Sequence, residues 1–280
     1  MKRSTGFLAV LLSAVMLTGC ASDISSQSVT GSSSEETSVS VTSATSEATT
    51  VITTTTAKAE SEIRPEDYMD KKIIALTFDD GPNVTTTPKV LDMLEKHEVI
   101  ASFFVIGNNI NDASAEVMKR AYDMGCEIHN HSKSHPNMTE MTVEQIIEEY
   151  EYTDNKVYEI TGEHTAFFRP PYIAVNDAML ENIDVPFIAG IGCNDWDDKV
   201  TADKRARSIL RQADDGDIIL LHDAQGNDQT VEALDTIIPE LKAQGYIFVT
   251  MTDLFKIKGI EISPDDTKIY TNVLQSGQFG

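Results

Sequence analysis

From about Arg64 onwards, short apolar runs alternate with helical periodicities. Lys72-Ile73-Ile74-Ala75-Leu76-Thr77-Phe78 predicts a strand buried on both faces. Thr87 before Pro88 gives a helix start, and Val90, Leu91 and Leu94 give that helix an apolar face. A second strand is predicted at 102–106, and Glu127-Ile128-His129 begins a third. Thr142 and Gln145 form a capping box, after which Val143, Ile146, Ile147, Tyr150 and Val157 mark one face of a long helix. Further strands are predicted at 166–169, 186–190, 217–221 and 246–250. Between the later ones run two helical stripes, Ala206-Ile209-Leu210-Ala213 and Leu234-Ile237-Ile238-Leu241, the second with Pro239 inside it, where a kink is expected. About seven strands alternating with helices predict parallel β/α units, an α/β fold closed into a single distorted barrel. Residues 259–280 carry no strong period and predict a loosely packed C-terminal tail.

The first sixty residues follow another pattern. Lys2 and Arg3 precede an apolar run over 7–17, too short to span about 30 Å of hydrocarbon. The run ends Leu17-Thr18-Gly19-Cys20, which resembles a bacterial lipoprotein signal, in which the cysteine is lipidated and becomes the mature N-terminus. An ordinary secretory peptide is the alternative. Residues 21–60 are about half Ser and Thr with almost no large apolar side chains, a composition that predicts a disordered linker. Its expected span is on the order of 35 Å. The expected organisation is a signal peptide at 1–20, a linker at 21–63, a globular domain at 64–258 and the tail at 259–280. The expected location is the outer face of a bacterial membrane, a monomer anchored through lipid on Cys20 and reaching into the cell wall.

Charge narrows the partners. The 280 residues hold 45 acidic and 22 basic side chains, a net charge of −23. Such a surface repels phosphate backbones and has no basic stripe, which excludes nucleic acid as a partner. Three cysteines are too few for a disulfide scaffold, and Cys126 and Cys193 are expected as separate buried thiols.

Polar clusters fall at the ends of successive predicted strands: Asp79-Asp80, His131 with His135, Arg169, Asp195-Trp196 and His222-Asp223. In parallel barrels the C-terminal strand ends carry the chemistry. His131 and His135 are spaced like two ligands of one metal, and a carboxylate would complete a set with positions open for water and substrate. Asp79 and Asp80 could then divide the work, one holding metal and one taking a proton. Taken singly, these motifs read equally as an acidic turn and a pair of surface histidines.

In order, TFDDGP (77–82), NHSKSHP (130–136), FRPPY (168–172), DW (195–196) and LLHD (220–223) resemble the polysaccharide deacetylase family with NodB homology, metal-dependent carbohydrate esterases. The resemblance runs from about residue 70 to 256. It implies that Asp80, His131 and His135 hold a divalent metal, zinc foremost, with cobalt or nickel as alternatives. It implies that Asp79 is the catalytic base, that Arg169 orients it and keeps it ionised, and that His222 is the general acid held by Asp195. Tyr172 would offer a backbone N–H to the oxyanion, with Trp196 and Leu220 as apolar walls around the acetyl methyl.

Three positions depart from the family pattern. His129 and Ile173 stand where glycine is usual, and Gly192 stands where many members have aspartate. His129 is expected in the core rather than as a third imidazole ligand, and Ile173 is expected to alter the acceptor subsite. His97 and His164 read as surface histidines. The implied reaction removes N-acetyl groups from N-acetylglucosamine units of an acetylated polysaccharide, peptidoglycan or chitin oligomers. An O-acetyl esterase acting on xylan is the alternative. A non-catalytic sugar-binding surface lipoprotein is the alternative from another class, and it would need none of Asp79, Arg169 or His222.

Overall fold

The structure, a computed structural model, describes residues 63–263 and 267–274. The expected signal peptide, Cys20 and nearly all of the expected linker lie outside the described residues. Seven strands and seven helices occur among those described: β1 (Lys72–Asp79), α1 (Thr87–Lys96), β2 (Ser102–Val105), α2 (Asp112–Asp123), β3 (Glu127–Asn130), α3 (Val143–Thr161) and α4 (Asp177–Asn182), then β4 (Phe187–Ile188), α5 (Ala202–Gln212), β5 (Ile218–His222), α6 (Asp228–Ala243), β6 (Tyr246–Val249), α7 (Met251–Ile257) and β7 (Ile269–Tyr270).

β1 is the axis of the sheet, and every residue after Lys72 in it is buried. Ala75 pairs with Ile218 of β5 and with Val249 of β6, so those strands flank it on opposite edges. β2 takes over the β6 edge further along, pairing Thr77 with Ser102 and Asp79 with Phe104. β3 then pairs with β2. Single parallel bridges close the ring: Asn130 to Phe168, Phe168 to Phe187, and Ile191 to Ile219 of β5. All strand pairings within the ladders are parallel. This is the expected distorted barrel.

The two faces of β1 go to different cores, as a period of two requires. Ile74, Leu76 and Phe78 pack outward with residues of α1, α2, α5 and α6, while Ile73 and Ala75 pack with Phe104, Phe167, Ile188 and Ile218. Asp79 continues the second set, Ile73-Ala75-Thr77-Asp79, and so emerges at the C-terminal mouth of the barrel. The same alternation on β3 sends Ile128 outward and puts His129 against Phe104 and Phe167, at ring-centroid distances of 5.3 and 5.0 Å. His131 follows two residues later, nearer the mouth.

Two expectations change, at 166–169 and in the C-terminal stretch. The strand at 166–169 reduces to one bridging residue, Phe168, because Pro170 and Pro171 have no N–H with which to extend a ladder. α6 runs unbroken from Asp228 to Ala243 with Pro239 inside it, where the kink is expected. The C-terminal stretch is not uniformly loose: β7 pairs with β4, and Tyr270 and Val273 are buried in the core. Helix α2, which no strong apolar stripe announces, is fixed locally by a capping box between Asn111 and Ser114. Cys126 and Cys193 are both buried, as expected.

Candidate active site

The mouth of the barrel opens into a cavity of about 590 Å³ lined by residues that include Asp79, Asp80, His131, His135, Tyr172, Ile173, Trp196, Leu220 and His222. They arrive from several strand ends: Asp79 and Asp80 after β1, His131 and His135 after β3, and His222 at the end of β5. Backbone geometry there is unusual: Asp80, Ser132, His135, Tyr172, Ile173 and Asn194 all have positive φ, between 55° and 74°. Among the described non-glycine residues only Glu98 shares that feature elsewhere. Left-handed backbone costs on the order of 1–3 kcal/mol per residue and persists where surrounding contacts over-determine it.

Asp80 turns away from the end of β1 at φ +74°, and the turn is held from two sides. Asn109 Nδ2 donates to the Asp80 carbonyl at 2.8 Å. Next in sequence, Gly81 packs against the fully buried Asp223, so closely that a Cβ there would meet the Asp223 carboxylate at 2.5 Å. Burial, reinforced by the charges of Asp80 and Asp79, pushes the Asp223 carboxyl up to about 7, and the Thr87 hydroxyl donates to it.

Asp80, His131 and His135 offer one ligand atom each, all within 4.8 Å of one another. His131 Nε2 lies 3.5 Å and His135 Nε2 3.7 Å from Asp80 Oδ1. Two ligands of one tetrahedral zinc stand about 3.4 Å apart, so the spacing fits. The donors are prepared as well as placed. His131 Nδ1 donates to the Arg169 carbonyl at 2.6 Å, which leaves Nε2 with its lone pair toward the mouth. Burial lowers the His131 pKa against the pull of Asp79 and Asp80, favouring the neutral ring that a metal requires. Asp80 Oδ1 is buried without a hydrogen-bond partner. A buried carboxylate oxygen without a hydrogen-bond donor, facing two imidazole nitrogens, is costly unless a cation sits among them, so the residues present fit a divalent ion.

The loop carrying His135 is anchored from α3. Glu149, 8% exposed, accepts the Ser134 N–H at 2.8 Å and the Ser134 hydroxyl at 2.7 Å. The His135 N–H is held by Ser132 Oγ at 2.9 Å. Sequence reading missed Glu149. Its signal was an acid at the spacing of the Ile146–Thr153–Val157 face of an otherwise amphipathic helix.

Asp79 and Arg169 form a second, separate unit. Arg169 is fully buried; its Nη1 donates to Asp79 Oδ1 at 2.5 Å and its Nη2 to the Ala189 carbonyl at 2.7 Å. The guanidinium also stacks over Phe104, 4.1 Å from the ring centroid. Asp79 Oδ2 is left facing the ligand set, 3.9 Å from His131 Nε2.

Across the cavity, His222 Nδ1 meets Asp195 Oδ1 at 2.7 Å, and the His222 backbone N–H donates to Asp195 Oδ2 at 2.7 Å. Burial opposes both charges, but the pair outweighs it. Hydrogen bonds from His222 and Thr230 hold Asp195 below its ordinary range, and His222 rises from 6.5 to about 9. The cavity therefore holds the Asp79–Arg169 pair, the His222–Asp195 pair and a candidate metal set on one rim.

Tyr172 and Trp196 are each 69% exposed and flank the opening. Trp196 is thus a rim residue more than the enclosed wall expected of it, while Leu220 is half-buried in the cavity lining. Tyr172 packs edge-on against His135, with ring centroids 4.7 Å apart. Ile173, a β-branched residue at φ +55°, projects from the same strained turn. His129 is a core residue, as expected, its Nε2 3.1 Å from Glu127 Oε2. His97 and His164 pair with Asp235 and Asp154, away from the site.

With this geometry in view, the comparisons with known proteins agree. The family model described as polysaccharide deacetylase matches residues 66–184. The chain is 37% identical over 214 residues to a peptidoglycan-N-acetylglucosamine deacetylase of Bacillus cereus, covering 70% of this chain and 97% of that protein. It is 50% identical over 205 residues to a bifunctional xylanase/deacetylase of Pseudobutyrivibrio xylanivorans, covering 73% of this chain. The match takes in about a third of that larger protein's length, 34%. Among solved structures, a family 4 acetyl xylan esterase from Clostridium thermocellum, in complex with a cobalt ion, superposes with a TM-score of 0.71 at 42% identity, covering 72% of this chain and 99% of that one.

Proposed function

Because the chain belongs to the polysaccharide deacetylase family, we propose that it is a metal-dependent hydrolase that removes acetyl groups from a polysaccharide, N-acetyl groups of N-acetylglucosamine units first among them. The observation that carries this reading is the opposition of Asp79, held by Arg169, and His222, held by Asp195, across one metal-competent cavity. A sugar-binding protein without catalysis would need neither pair.

Asp80, His131 and His135 hold the ion in this reading. Zinc is the first choice because two imidazoles and a carboxylate suit it, and the cobalt in the acetyl xylan esterase supports cobalt as an alternative. When bound, a divalent ion supplies a Lewis acid that polarises the acetyl carbonyl and acidifies a water at the site. Asp79 accepts a proton from the attacking water at Oδ2, because its Oδ1 is occupied by Arg169. Arg169 holds that carboxylate and aims its free oxygen. His222 carries its second proton on Nε2 below about pH 9 and gives it to the departing amine nitrogen as the C–N bond breaks. Asp195 stabilises the imidazolium before that transfer. The Tyr172 backbone N–H serves the oxyanion, and Trp196 and Leu220 flank the acetyl methyl. The products are acetate and a free amino sugar.

A second reading has its own support. Likeness to the xylanase/deacetylase and to the acetyl xylan esterase favours an O-acetyl ester of xylan as substrate, with the sugar oxygen leaving in place of nitrogen. The sequence Leu17-Thr18-Gly19-Cys20 and the Ser/Thr-rich stretch after it support a chain tethered by lipid outside a bacterial membrane. That location makes peptidoglycan the nearest polymer. Acetate release from N-acetylglucosamine oligomers, peptidoglycan and acetylated xylan, with the metal-stripped chain before and after zinc addition, separates these readings. Zinc-dependent release is expected, fastest on the N-acetylated polymers. No release from any of the three with any divalent metal would overturn the enzyme reading.

A further inference from the structure

A loop that offers no metal ligand lies between the two that do. β2 ends at Val105, and Gly107–Asn109 form a short 3₁₀ turn ahead of α2. Toward β1, the Ile106 N–H donates to the Gly81 carbonyl at 2.9 Å, and Asn109 Nδ2 donates to the Asp80 carbonyl at 2.8 Å. Toward β3, the Gly107 N–H donates to the Ser132 carbonyl at 3.0 Å, and the Asn108 N–H to the Lys133 carbonyl at 2.8 Å. The stretch from Ile106 to Asn109 is thus bonded on one side to the segment holding Asp80. On the other it is bonded to the segment running from His131 to His135.

The turn is itself braced. Ser114 Oγ, from the capping box of α2, donates to the Asn109 carbonyl at 2.6 Å, and the Asn109 N–H donates to the Ile106 carbonyl at 2.9 Å. α3 leaves no room for a side chain at Gly107: a Cβ there would strike Thr153 Oγ1 and stand 2.8 Å from Tyr152 Cδ1. Thr153 lies one helical turn beyond Glu149, so one face of α3 backs both this turn and the loop carrying His135. Three of the four bonds to the ligand-bearing segments come from backbone N–H groups. The fourth comes from Asn109, among the described residues the one side chain that donates to the backbone of Asp80 or Gly81. It lands on the left-handed residue itself, and such backbone persists only where surrounding contacts over-determine it.

We infer that Asn109 is a positioning residue for the metal centre: through the Asp80 carbonyl it sets where the Asp80 carboxylate stands relative to His131 and His135. The inference rests on the reading of Asp80, His131 and His135 as metal ligands. A bond that only braced the fold would change the stability of the metal-free chain and leave its affinity for the ion alone.

Asn109→Leu removes the donor and keeps the branched shape; Asn109→Ala removes both. Asn109 is half-buried, so neither variant opens the core. Zinc binding by the metal-stripped full chain is read by calorimetric titration, beside the visible spectrum of the cobalt-loaded chain and the melting temperature of the metal-free one. Both variants should bind zinc about tenfold or more weakly, with an altered cobalt spectrum and a metal-free melting temperature close to wild type. Zinc affinity within about twofold of wild type in both overturns the inference, and so does a loss of affinity matched by an equal loss of metal-free stability. A wild-type chain that binds neither zinc nor cobalt would overturn the metal reading itself, and the inference with it.

Discussion

Asp79 and Asp80 are neighbours in the chain, yet they belong to different chemical units. The φ of +74° at Asp80 turns its carboxylate toward His131 and His135, while Asp79, still in the β1 ladder, keeps the barrel-facing direction and meets Arg169. In the proposed reaction, one residue of left-handed backbone thus separates the metal ligand from the base. The division of labour between them follows from that turn.

Replacing Arg169 with Met should damage both fold and rate. The variant leaves the Asp79 carboxylate buried without its cation, and breaking a buried pair costs about 3–5 kcal/mol. Denaturant unfolding should show a loss of that size. The same carboxylate loses the guanidinium that aims it, so turnover near neutral pH should fall by about two orders of magnitude or more. A variant with wild-type stability would contradict the buried-pair account.

The pH dependence has a definite sign. His222 has its pKa raised from 6.5 to about 9, so the proton it donates is present below that value and lost above it. The rate should fall as pH rises through about 9, and Asp195→Asn should move that limb to lower pH because its charge no longer supports the imidazolium. Stability follows the same sign: the contribution of the pair is full below about 6.5 and disappears as pH passes about 9. Rate profiles and melting curves across that window check both.

Gly81→Ala should disturb the metal set without touching a ligand. The new Cβ would lie 2.5 Å from the buried Asp223 carboxylate, so the Asp80 turn or Asp223 must move. Overpacking of this kind costs about 1–3 kcal/mol. Calorimetric zinc titration should show weaker binding, and an unchanged affinity would show that Asp223 does not support the turn.

Glu149→Ala should act at longer range. It removes the acceptor for both Ser134 donors and so loosens the loop carrying His135. Outer partners of metal ligands typically carry about 10–100-fold in affinity. Zinc affinity should fall within that range while the melting temperature of the metal-free chain changes little.

Much of this site was legible because each motif ends a strand. The period-two alternation of β1 carries Asp79 to the mouth, and the same rule on β3 puts His129 and His131 on one side, where depth along the barrel separates the core residue from the one at the mouth. What stayed hidden depends on distant pairing. Ile269 and Tyr270 become a strand only because Phe187 and Ile188 present an edge to them, and no local period announces that. Phe168 remains in the ring through single bridges, since the prolines after it forbid a ladder. Asn109 sits in a turn that holds no ligand, and only the fold brings it beside Asp80. Glu149 was a polar interruption of an apolar face, a signal present in the sequence but weaker than the stripe around it.

The most direct test of the division between the two aspartates is zinc binding and acetate release measured together in Asp79→Asn and Asp80→Asn. Asp79→Asn should bind zinc within a few-fold of wild type and release no acetate, while Asp80→Asn should lose most of its zinc affinity and its turnover with it. Turnover retained by Asp79→Asn, or zinc affinity retained by Asp80→Asn, would contradict the account.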